Sequence, residues 1–190
     1  LDKDTITRIL VKEDETQITV SSSINTSNKQ TWFSTKSGIV ILENGKFTRI
    51  DSDHGLPSIK LFTLYEDYEG NIWIGTDGQG VVKFRKNGNY LQTYRKINGL
   101  SNNDIKSIFE DKDGNYWFGT SGYLSRLDKQ GNFETMAYFP NDIQSTINQT
   151  YAIEQDRRGA MWFGAYSKGL YRYKDGIYTN FRKEDGLISN

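Results

Sequence analysis

Imidazole chemistry in this chain has one candidate, because His54 is the single histidine among 190 residues, and thiolate chemistry has none, because cysteine is absent. His54 sits in Asp53-His54-Gly55, where it could polarise a substrate or simply be solvated. Asp67, Asp111 and Asp156 each open an Asp-x-x-Gly tetrad. An Asp at that place can cap its own backbone amides in a type I turn, so these acids read as structural. A carboxylate pair for glycoside hydrolysis would have to assemble across elements in space, which no local spacing reveals. Asp111-Lys112-Asp113-Gly114-Asn115 is rich in oxygen ligands but lacks the spacing and distal Glu of an EF-hand loop. No nucleophile elbow, phosphate-binding glycine loop or paired-histidine metal signature occurs, and Gly78-Gln79-Gly80 reads as a turn. We therefore expect no catalytic centre, metal or cofactor in this segment.

Composition narrows the classes further. Lys plus Arg and Asp plus Glu are both 24, so the formal charge is zero and nothing favours nucleic acid as a partner. Aromatic residues make up 14%, enough to supply a core in a chain whose hydrophobic content is modest. No apolar run approaches the roughly 18 residues of a membrane helix. Leu1-Asp2-Lys3-Asp4 has neither Met nor a signal core and reads as the start of an excised or processed piece.

The elements that must position any site come from a repeat. Trp32, Trp73, Trp117 and Trp162 are spaced by 41, 44 and 45 residues, and their flanks, Trp32-Phe33-Ser34-Thr35 through Trp162-Phe163-Gly164-Ala165, align without gaps. Glycines at 38, 80, 122 and 169 follow as turns, and further turns fall at Asn44-Gly45, Asn87-Gly88, Gln130-Gly131 and Asp175-Gly176. In the first repeat Asn28-Lys29-Gln30-Thr31 lacks the tetrad glycine, so a longer or differently shaped hairpin is expected there. Four short antiparallel strands per unit, repeated every 40 to 45 residues, define an all-β fold of propeller blades. We place the blades near 18–50, 59–95, 104–138 and 150–182, with residues 4–11 as an orphan outer strand of a preceding or partner blade. The chain is then one propeller segment, in a partial or oligomer-completed ring. The tryptophans, at one place in every repeat, are expected to pack between blades rather than to stack on ligand.

The run from Asn98-Gly99-Leu100-Ser101-Asn102-Asn103 to Trp117-Phe118-Gly119-Thr120 closely resembles the two-component regulator propeller repeat. Partial copies run from His54-Gly55-Leu56-Pro57 to Thr76, and Asp185-Gly186-Leu187-Ile188-Ser189-Asn190 looks like the opening of another. The first repeat and Phe139–Thr146 depart from the pattern. The resemblance implies a periplasmic, ligand-sensing part of a hybrid two-component sensor, whose parent also carries a membrane helix, a histidine kinase and DNA-binding output. Many members of that family detect oligosaccharides, so carbohydrate is the leading ligand class it implies.

If a ligand binds, non-repeating polar and aromatic residues in the inter-blade linkers and in the turns between second and third strands are the candidates, and both sets should emerge on one face. They are His54, Asp77, Gln79, Asn102, Asn103, Tyr123, Tyr166 and Lys168. Two other readings stand beside the sensor: a propeller-fold lyase or glycoside hydrolase, with His54 as first suspect, and a protein-binding scaffold. Raw blade faces favour self-association, including a two-chain ring.

Overall fold

The computed structural model describes residues 19–57, 60–85, 91–136 and 149–189, and the proposed orphan strand, the Asn87-Gly88 turn and the Phe139–Thr146 linker lie outside them. The described residues form sixteen strands in four sheets. The first holds β1 (Val20–Asn25), β2 (Thr31–Thr35), β3 (Gly38–Glu43) and β4 (Lys46–Ile50). The second holds β5 (Leu61–Glu66), β6 (Ile72–Thr76), β7 (Val81–Phe84) and β8 (Leu91–Tyr94). The third holds β9 (Ile105–Glu110), β10 (Tyr116–Thr120), β11 (Leu124–Leu127) and β12 (Phe133–Met136). The fourth holds β13 (Thr150–Gln155), β14 (Met161–Ala165), β15 (Gly169–Lys174) and β16 (Ile177–Phe181). Every sheet is an antiparallel meander with its strands in chain order, and the first strands of successive sheets pack against one another as the inner edge. These are propeller blades, and the four described blades do not close a ring.

Each Asp-x-x-Gly tetrad does two jobs. Asp67 Oδ1 accepts the N–H groups of Glu69 and Asn71 at 3.1 and 2.7 Å, while its Oδ2 accepts the Trp73 indole N–H at 2.9 Å. Asp111 and Asp156 hold Trp117 and Trp162 in the same way, at 2.7 and 3.0 Å. The first repeat corrects our expectation of an altered hairpin. Its turn has the same length and backbone bonds, Thr26 N–H to Gln30 O and Lys29 N–H to Thr26 O, with Lys29 at φ 66 where the others have glycine. The two jobs of the aspartate are divided there, Thr26 Oγ1 accepting the Gln30 N–H and Gln30 Oε1 accepting the Trp32 indole N–H. Gly122 lies within its turn as expected, and Tyr123 stands immediately before β11, where Gly38 and Gly169 begin β3 and β15 and Gly80 directly precedes β7.

The indoles so pinned face the following blade. Trp32 meets Phe84 edge-on at 5.4 Å, Trp73 lies 4.4 Å from Tyr116, and Trp117 lies 5.7 Å from Phe163. All three are buried, as inter-blade packing requires, whereas Trp162 is half-buried and stacks on Phe181 of its own blade. A second tie crosses each interface. The last residue of an inner strand, Glu66, Glu110 or Gln155, accepts the backbone N–H of Ser27, Tyr68 or Lys112 in the preceding blade's turn, at 2.7, 2.7 and 2.8 Å. Close approach explains one glycine: a Cβ on Gly119 would stand 2.4 Å from Thr150 O of the next inner strand and 2.2 Å from Ser107 Oγ.

Candidate functional site

All four inner strands break register at the same place. The ladder passes from Val20 to Ser22, from Leu61 to Thr63, from Ile105 to Ser107 and from Thr150 to Ala152. The residues skipped are Ser21, Phe62, Lys106 and Tyr151. A bulge frees its extra residue from the ladder and re-aims the side chain, so each blade presents one such residue at the start of its inner strand.

Two of these residues, Phe62 and Lys106, meet across blades. Lys106 Nζ lies 3.6 Å from the centroid of the Phe62 ring, and Lys60 Nζ lies 4.7 Å from the same ring. Lys106 Nζ is also 3.0 Å from Asp104 Oδ1, and Ser121 Oγ donates to Asp104 Oδ2. In the fourth blade the Tyr151 and Tyr166 rings are 6.2 Å apart, both exposed, and Tyr151 OH donates to Gln149 Oε1 at 2.6 Å. The face thus combines an aromatic ring under two ammonium groups, a carboxylate, hydroxyls and exposed tyrosines. That set can bind a polar ligand through stacking and hydrogen bonds. Ser121 thus donates to a carboxylate that is also paired with Lys106.

The linkers and the turns between second and third strands do share this face. Asp77 N–H donates to Lys60 O, Ser121 N–H to Asp104 O, and Tyr166 N–H to Gln149 O, at 2.9, 3.0 and 2.9 Å. Several of the expected site residues are engaged in holding it together. Asn103 Oδ1 accepts the Lys96 N–H and its carbonyl accepts the Gly80 N–H, and Gln79 O accepts from Arg95 Nε. Asn102 Oδ1 caps the Asp104 N–H at 2.9 Å, and Tyr123 O accepts the Ser101 and Thr120 hydroxyls. Lys168 O accepts from Asn180 Nδ2 at 3.0 Å, which ties its turn to the outer strand.

His54 shares none of these contacts. It ends the 3-10 turn Ser52–His54, with Nδ1 3.0 Å from Asp51 Oδ1, and lines a cleft between the first two blades. The hydrogen bond from His54 outweighs the opposing desolvation and, with the Asp53 N–H, holds the Asp51 carboxyl below the usual carboxylate range. Phe62, Lys106 and Tyr151 were not among the residues expected from sequence. Their signal was present as one position that differs from repeat to repeat, Ser, Phe, Lys and Tyr, inside a strand whose neighbours are small or aliphatic.

Residues 55–78 and 99–122, two of the four linker-to-second-strand segments, each match the family model described as two component regulator propeller. The extracellular domain of a hybrid two component system from B. thetaiotaomicron superposes with TM-score 0.81 at 19% identity, covering 96% of this chain and 25% of that one. The extracellular domain of a one component system from the same organism gives TM-score 0.75 at 22% identity, over 91% of this chain and 23% of that one. A catalytically inactive virginiamycin B lyase from Staphylococcus aureus, solved with quinupristin, gives 0.71 at 17% identity, over 90% and 58%. The chain therefore spans about a quarter of the length of the two sensor domains it matches. No curated protein sequence matches it. Among the described residues no helix is long and apolar enough to cross a membrane.

Proposed function

We propose that this chain is a ligand-sensing propeller segment of a two-component regulatory protein, lying on the periplasmic side of the membrane, and that it recognises an oligosaccharide without turning it over. The observation that carries the reading is the contact of Lys106 with Phe62, 3.6 Å from ammonium to ring centroid, between bulged residues of adjacent blades on the face that also presents Tyr151 and Tyr166. The regulator repeats and the likeness in fold to sensor extracellular domains support the setting. A saccharide spanning Phe62, Lys106 and Tyr151 touches three blades and so favours one spacing of their inner strands. Differential binding of that kind is what a population shift requires. The half-buried Trp162 and its partner Phe181 form an end face suited to association with a second copy, which light scattering on the purified protein would reveal.

The test is calorimetric titration with a panel of neutral and acidic oligosaccharides. Phe62→Ala, Lys106→Ala and Tyr151→Ala should each weaken binding about tenfold or more while leaving the melting temperature nearly unchanged. Binding indifferent to all three substitutions, or release of cleaved product, would overturn the reading in favour of another face or of the lyase alternative.

A further inference from the structure

The three inter-blade interfaces are built on one plan, and the first departs from it. In the second, Tyr116 packs 4.4 Å from Trp73 and donates its hydroxyl to Asp67 Oδ2 at 3.0 Å, while Lys83, the cross-strand neighbour of Trp73, sits 4.7 Å over the indole. In the third, Met161 takes the place of Tyr116, and Arg126, the cross-strand neighbour of Trp117, lies 5.6 Å over that ring. In the first, the corresponding residues are Ile72 and Ile41, and Thr26 replaces the aspartate. Neither phenol nor cation is supplied, and a cleft of about 340 Å³ remains beside Trp32 and Phe84.

Several polar atoms of this lining have no hydrogen-bond partner among the described residues. The Gln30 amide accepts the Trp32 indole N–H through Oε1, and its Nε2 has no hydrogen-bond partner among the described residues. The same holds for Thr48 Oγ1 and for His54 Nε2. Nδ1 of His54 is engaged with Asp51, 3.0 Å from Oδ1 and 3.4 Å from the backbone N, which leaves Nε2 as the ring atom available to a ligand hydroxyl. The lining carries one cation and one anion, Arg49 and Glu66, and both are engaged: Glu66 accepts from Ser27 N–H and Ser27 Oγ, both at 2.7 Å, and Arg49 is 3.3 Å from Asp51.

We propose that this cleft is a second binding site, distinct from the central face, and that it takes one neutral, hydroxyl-bearing six-membered ring, a single sugar residue. What the interface lacks relative to its neighbour is a flat ring carrying a hydroxyl, the group that Tyr116 supplies next door. A pyranose fits that lack, its C–H face on the Trp32–Phe84–Ile72 wall and its hydroxyls on Gln30, Thr48 and His54. The volume lies within the usual range for small-ligand pockets, apolar walls with few convergent polar groups being the common pattern. Balanced charge disfavours an ionic ligand, whose counter-charge the cleft would have to supply. Bound there, the ring acts as a wedge between the first two blades.

The test is two-dimensional amide NMR of the whole chain titrated with methyl glycosides of neutral hexoses and pentoses, run on wild type, Ile72→Tyr and Phe62→Ala. Saturable shifts at the Gln30, Thr48 and Gly70 amides are expected. They should weaken at least about tenfold in Ile72→Tyr, which fills the cleft as Tyr116 fills the next one, and stay within about twofold in Phe62→Ala. If Ile72→Tyr does not fold, Thr48→Arg blocks the mouth from an exposed position and serves the same purpose. Absence of shifts at those amides with every glycoside, shifts indifferent to the blocking variant, or saturation by benzyltrimethylammonium but by no glycoside overturns the proposal. Loss of oligosaccharide binding at the central face would leave the cleft shifts in place, so the two readings fail separately.

Discussion

The carboxylate of Glu110 accepts the backbone N–H of Tyr68 at 2.7 Å, joining the end of one inner strand to the turn of the blade before it. Burial raises the Glu110 pKa above its ordinary 4.5; the Tyr68 hydrogen bond opposes the rise and the nearby Asp67 and Glu69 charges add to it. A carboxyl raised in the folded state contributes stability that is fully present below the unfolded value and lost as pH climbs through the folded one. Wild type should therefore weaken from pH 4.5 upward relative to Glu110→Gln, whose amide accepts the same bond as Gln155 does from Lys112. Urea denaturation of both proteins across that window checks it, and parallel pH profiles would contradict it.

Asp67 has the opposite sign. Burial pulls its pKa up, but hydrogen bonds from Asn71 and Trp73 and the charge of Lys83 outweigh that, leaving it below 3.8. Its contribution should vanish as pH falls from 3.8 through the depressed value. Asp67→Asn strips the charge from a pair with Lys83 at 3.3 Å and should cost about 3 kcal/mol near neutrality, measured by chemical denaturation.

Two glycines at one place in the repeat should respond unequally. Gly119→Ala sets a methyl group 2.4 Å from Thr150 O and should destabilise by about 2 kcal/mol or more, whereas Gly164→Ala meets only the Ala152 methyl at 3.3 Å and should cost less. Thermal melts of the pair decide it. Equal costs would mean that Gly119 is not where two blades close.

His54→Ala should leave central-face oligosaccharide binding intact, yield no change in product formation, and let Asp51 titrate closer to 3.8, a shift that carboxyl-resolved NMR would read. A glycan-cleaving activity lost with this substitution would revive the enzymatic reading.

The tryptophan period and the Asp-x-x-Gly tetrads were legible because each is a local pattern whose chemistry, an indole N–H and a turn acceptor, acts within six residues. The first hairpin misled because Thr26, Gln30 and Lys29 reproduce by three residues what Asp and Gly do by two. The ties from Glu66, Glu110 and Gln155 could have been noticed, since a long polar acceptor stands just after Tyr65, Phe109 and Glu154 and before the turn in each blade. The bulges could not, because a bulge belongs to the pairing of two strands rather than to either sequence. His54 drew notice by being single, yet the 3-10 turn and Asp51 direct it to the gap between blades.

The bulged residues are exempt from both demands that shape the rest of the repeat, since they neither complete a ladder nor fill an inter-blade core. Serine, phenylalanine, lysine and tyrosine can therefore succeed one another there while the scaffold stays the same. Such a position works as one interchangeable digit per blade, and an array of blades becomes a number that can be rewritten one place at a time. On the proposed reading of the central face, exchanging digits between blades changes ligand preference and leaves the frame holding them untouched.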